Sequence, residues 1–103
     1  MKKFKFYDPM YFANVEIHLG VPLDEHRNGG LTVFDKVEKK GTFRYYLINL
    51  ENKKDFYSLM HECIHLVKAV FTDRGIPFTS ENDESIAYYH SYWFKRIWRK
   101  INK

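Results

Sequence analysis

The sequence predicts an α+β fold in which a small antiparallel sheet of about three strands is followed by two long helices. Three features of the 103 residues carry that expectation. The first half contains short runs rich in β-branched and aromatic residues, one of them strictly alternating. The second half repeats apolar residues at spacings of three and four. Glycine and proline fall between these segments rather than inside them.

At this length a second core would leave each half too small to fold unaided, so one domain is expected over residues 1–103. A hydrophobic share of 45% with no repeat or low-complexity stretch is that of a globular chain, which excludes a disordered one.

Over residues 11–19, Val15, Ile17 and Leu19 alternate with Asn14, Glu16 and His18, the period of a half-buried strand ending at Gly20. A helix opened by Asp8-Pro9 and closed by Gly20 is the rival reading. Residues 21–30 hold Pro22, Asp24, Asn28 and Gly29-Gly30 and read as a connecting loop. Residues 31–37 and 42–50 read as two antiparallel strands joined at Glu38-Lys39-Lys40-Gly41, where glycine supplies the positive φ of a hairpin.

Asn52-Lys53-Lys54-Asp55 then opens a helix. Its apolar face takes in Phe56, Leu59, Met60, Cys63, Ile64, Val67, Ala69, Val70 and Phe71, and it stops at Gly75 before Pro77. Ser80 with Asp83 three residues on resembles a capping box, so a second helix is expected from about Glu81 to the C-terminal end.

The net charge is +4, and the excess gathers at Lys95, Arg96, Arg99, Lys100 and Lys103. These residues alternate with Trp93, Phe94, Ile97, Trp98 and Ile101, the pattern of a core-facing stripe with a solvated basic back. Nucleic acid ranks last among partners because the charge is modest; a protein partner at this basic C-terminal helix stays open. Lys5, Asp8 and Glu16 break any apolar run after Met1-Lys2-Lys3, so neither a signal peptide nor a transmembrane segment is expected. The single cysteine, Cys63, permits no internal disulfide, and a cytoplasmic setting is the simplest expectation.

The chemistry is concentrated in His61-Glu62-Cys63-Ile64-His65. Histidines four apart on a helix project from one face, so their ring nitrogens can converge on a zinc ion. Glu62, beside the first histidine, is placed to take a proton from a water activated by that ion. The plain alternative is a solvent-facing helix edge that happens to carry these residues. Cys63 points away from the histidines and reads as a buried hydrophobe. A catalytic zinc commonly takes three protein ligands. The downstream candidates are Glu81, Asp83, Glu84 and His90, with Glu84 preferred because an antiparallel second helix would aim its first turn at the metal.

Asn82-Asp83-Glu84-Ser85-Ile86-Ala87-Tyr88-Tyr89, following the HExxH segment, resembles the glutamate helix of gluzincin metallopeptidases. The small size and element order resemble the compact members sometimes called minigluzincins, including small proteins carried in phage genomes. That resemblance implies a minimal zincin-like catalytic core with His61, His65 and Glu84 as zinc ligands and Glu62 as the base. It also implies a peptide or protein substrate adding as a strand beside residues 42–50. Where the larger peptidases have an aspartate four residues after the third ligand, this chain has Tyr88, which can orient an imidazole or support an oxyanion. The function expected is a zinc-dependent metallopeptidase-like hydrolase. The alternative is an inactive, zinc-stabilised protein-binding module.

Overall fold

The computed structural model of the chain describes residues 1–20 and 30–103. Of the expected 21–30 loop, Pro22, Asp24, His26, Asn28 and Gly29 lie outside the described residues. The chain divides into two compact units, Met1–Asn52 and Lys53–Lys103.

The first unit is a four-stranded mixed sheet: β1 (Lys2–Asp8), β2 (Ala13–Leu19), β3 (Leu31–Glu38) and β4 (Gly41–Leu50), in the order β1-β2-β4-β3. The alternation of β2 is realised without exception, with Ala13, Val15, Ile17 and Leu19 buried and the residues between them half-buried. The rival helix is therefore not formed. Asp8 does accept from the backbone, as that reading required, but its carboxylate takes the N–H groups of Met10 and Tyr11 and closes a turn between β1 and β2.

Two expectations for the sheet are corrected. A fourth strand exists, because Phe4 and Phe6 alternate with Lys3 and Lys5 and pair antiparallel with Ile17 and Val15. The sheet is also not wholly antiparallel, since β2 and β4 run parallel. The register aligns Val15, Ile17 and Leu19 with Tyr46, Ile48 and Leu50, so the buried side chains of the two strands share one face. A strand carrying that much apolar surface gains most from a central position. β3, exposed along most of its length and carrying Asp35, Lys36 and Glu38, takes the edge instead.

The hairpin is formed where expected, with Glu38 opposite Gly41 and Gly41 at φ +134°. Across it Arg44 makes two hydrogen bonds to the Asp35 carboxylate, at 3.0 and 3.4 Å, and holds that carboxyl below its usual range. Over residues 45–48, β4 has a strand on each side. A substrate strand expected beside residues 42–50 has no room at residues 45–48, where both sides of β4 are already paired.

The second unit holds α1 (Phe56–Asp73), a 3-10 turn (Ser80–Asn82) and α2 (Asp83–Ile101). Asp55 caps α1 by accepting from Ser58 N at 3.1 Å and Ser58 Oγ at 2.6 Å, which lowers its own pKa. At the other end Gly75 sits at φ +71°, with Ile76 N on Phe71 O and Gly75 N on Thr72 O. This is the paired termination that a left-handed glycine permits. The capping box is not formed. Ser80 lies inside the 3-10 turn, α2 begins at Asp83, and Asn82 donates from its side chain to Pro77 O at 2.7 Å.

The two helices pack antiparallel. Phe71 stacks on Tyr89 near the connecting turn, with ring centroids 5.6 Å apart. At the far end Phe56 meets Trp98 edge-on and Asn102 donates to Lys53 O at 2.9 Å. Trp93, Ile97 and Ile101 are buried while Lys95, Arg99 and Lys100 are exposed, which supports the core-stripe reading of the basic end. Arg96 lies over the Tyr92 and Trp93 rings and donates to Tyr92 Oη. No helix among the described residues is long and apolar enough to cross a membrane.

Candidate metal centre

α1 presents two different sides. Leu59, Cys63, Leu66, Val67, Val70 and Phe71 are buried. Tyr57, Met60, His61, Ile64 and His65 are exposed, so the apolar face is narrower than the sequence suggested and Met60 and Ile64 flank the histidines instead. His61 and His65 occupy successive turns of the exposed side, and their Nε2 atoms lie 3.2 Å apart.

That separation tests the fit to a metal. Two imidazole nitrogens at about 2.0–2.1 Å from a tetrahedral zinc stand roughly 3.3 Å apart, one edge of the tetrahedron. The observed spacing is within about 0.1–0.2 Å of that edge, and the rings meet at 70° without stacking. Without an ion, the same spacing requires one ring to donate and the other to accept.

Glu62 differs from both neighbours. Its side chain is 6% exposed against 70% for His61, yet its Oε1 is 3.8 Å from His61 Nε2. The donor atoms of His61, Glu62 and His65 all lie within 4.8 Å of one another. The carboxylate thus stands beside the point on which the imidazoles converge, at a distance suited to proton transfer through a water and too long for a shared hydrogen bond. The donor set of two imidazoles and a carboxylate suits zinc, and its ligand types suit other divalent transition metals as well.

The sequence hides one property of Glu62. At three residues after Leu59 and four before Leu66 it falls on the buried side of α1, and it is one of two buried charged residues among those described, with Asp8. The spacing was the available signal, because an acidic residue inside an apolar stripe costs stability unless it serves something. Burial also pushes the neighbouring Cys63 thiol up to about 12, with the Glu62 charge adding to the effect. Cys63 is accordingly a buried neutral thiol, as expected, and no thiolate ligand at neutral pH.

The residues expected from α2 are not gathered into this group. Glu84 lies in the first turn of α2, exposed, outside the clustered three. Tyr88, one turn on, is 73% exposed. Glu81 and Asp83 are exposed as well. His90 is committed elsewhere: its Nε2 is 3.0 Å from the Met60 carbonyl. Beside that contact a depression of about 260 Å³ is lined by Met60, His90, Ser91, Phe94 and Lys95.

Comparison of the chain with family models, with curated proteins and with solved structures gives no match. The functional reading therefore rests on the chemistry of α1.

Proposed function

We propose that the chain is a zinc-dependent, metallopeptidase-like hydrolase acting on a peptide amide. The observation that carries this reading is the 3.2 Å approach of the two Nε2 atoms with a buried carboxylate beside them. Support also comes from the resemblance of the HExxH segment and the Glu84 helix to the gluzincin pattern.

His61 and His65 hold the ion through Nε2, and Glu84 is the third ligand, supplied from the start of α2. When bound, the ion supplies the Lewis acid that polarises an amide carbonyl and acidifies a water. Glu62 accepts the proton of the attacking water and passes it to the leaving amine. Its burial limits competition from bulk solvent for that proton. Tyr88, exposed on the side of α2 that carries Glu84, donates its hydroxyl proton to the developing oxyanion.

The test is zinc per chain by elemental analysis after purification without chelators, for the wild type, His61→Ala and Glu84→Ala. About one zinc in the wild type and a marked loss in both variants is the expected result. A wild type that takes up no zinc on reconstitution refutes the reading. Zinc without turnover across a peptide library would instead identify a zinc-stabilised binding module.

A further inference from the structure

We infer that His90 is a positioning residue for the metal helix, holding the peptide group that carries His61 through a hydrogen bond from its Nε2–H to the Met60 carbonyl. The inference rests on the metal reading of the α1 cluster. The two residues are 30 positions apart, and the contact spans 3.0 Å.

A carbonyl oxygen only accepts, so His90 Nε2 must carry the proton. In the neutral ring the lone pair then sits on Nδ1, and Nε2 is unable to ligate a metal. That gives Nε2 a task other than ligation, and His90 itself lies outside the clustered three. The Met60 carbonyl and the His61 nitrogen belong to one planar peptide unit. A donor fixed on that carbonyl from α2 therefore restrains the orientation from which the His61 side chain departs.

The restraint matters because the side-chain contacts of His61 are with His65 and Glu62 of its own helix. Its side chain is 70% exposed, and its neighbours on that side of α1, Tyr57, Met60 and Ile64, are exposed too. Three further contacts between the two ends of this unit lie away from the histidines: Phe71 with Tyr89 at one end, Phe56 with Trp98 and Lys53 with Asn102 at the other. Among these contacts the His90 bond is the one made at the residue next to a proposed ligand. Such a restraint favours metal binding by keeping the Nε2 pair at the tetrahedral edge before the ion arrives.

The experiment uses cobalt as a spectroscopic probe in the full chain, comparing the wild type with His90→Leu and His90→Gln. Leucine keeps bulk and removes the donor, whereas the glutamine amide can reach the same carbonyl. Cobalt affinity should fall about tenfold in His90→Leu, with weaker visible absorption as the tetrahedral geometry loosens, and His90→Gln should recover both. A structural role alone would lower the melting temperature of the cobalt-free protein and leave the spectrum of the bound ion unchanged. That outcome, or equal cobalt binding by all three proteins, overturns the inference while leaving the metal site intact. Long-range proton–nitrogen NMR of the metal-free wild type gives a second arm: His90 should be the Nε2–H tautomer, and the Nδ1–H form overturns the inference whatever the metal does. A wild type that binds neither cobalt nor zinc overturns the metal site itself, and the positioning role with it.

Discussion

The two long helices carry similar chemistry in opposite ways. α1 brings three donors from five consecutive residues within 4.8 Å of one another, while α2 leaves Glu84 and Tyr88 on its exposed side, outside that group. The first arrangement needs only the geometry of one helical turn, since residues four apart lie one above the other. The second depends on how α2 is set against α1 and on the charge that an ion would add. If the proposed zinc site forms, one half of it is preformed on α1 and the other, Glu84, is left for the ion to recruit.

The largest expected effect tests the preformed half. Glu62→Gln removes the base without altering the imidazoles, so hydrolysis should fall by about 10²–10⁴-fold in kcat while the zinc content stays at the wild-type level. Peptide assays paired with elemental analysis check this, and turnover surviving in the variant would remove Glu62 from the mechanism.

The buried side of the same turn should be inert. With the Cys63 thiol pushed up to about 12 against an ordinary value of 9.0, its thiolate fraction near neutral pH drops by about a thousandfold. Iodoacetamide should label Cys63 in the native protein only at the rate of unfolding. The sign for stability follows. Up to pH 9.0 both states keep the proton; between 9.0 and about 12 only the unfolded chain gives it up, so stability declines across that window. A denaturation series from pH 7 to 11 would reveal it, and rapid labelling of the folded protein would contradict the burial.

The recruited half gives the next effect. His61→Ala and His65→Ala should each weaken zinc binding by on the order of 100-fold or more. Glu84→Ala should come close to that if the ion draws the carboxylate in. A Glu84 variant with wild-type affinity would break the comparison by confining the centre to α1.

Smallest are the helix ends that frame the site. Asp55→Ala should cost about 1 kcal/mol through the lost N-cap. Gly75→Ala should cost a similar amount, about 1 kcal/mol, because φ +71° disfavours a side chain. Chemical denaturation measures both, and metal affinity should respond to neither.

What the sequence revealed followed the range of the physics. Periodicity exposed β2, both hairpin strands, α1 and α2, since each pattern is set within a few residues. β1 escaped because Lys2, Lys3 and Lys5 mask its two phenylalanines, which bury only when paired with β2. The parallel pairing of β2 with β4 escaped as well: it is a choice between whole strands, settled by which apolar faces align. At the site, the convergence of His61 and His65 was legible from their spacing alone. The burial of Glu62 was legible in principle from its place between Leu59 and Leu66. The engagement of His90 with Met60 was not, because no local rule joins residues so far apart.

The enclosure of β4 has a consequence for how the protein behaves in a crowded solution. With both sides of β4 taken, the sheet ends at β1 and β3. Those borders carry Lys2, Lys3 and Lys5 on one strand and Asp35, Lys36 and Glu38 on the other. Two copies meeting in parallel register at β1 would bring lysine against lysine, a repulsion that discourages in-register strand-by-strand growth. The same charged strands that border the sheet leave its apolar centre to β2 and β4.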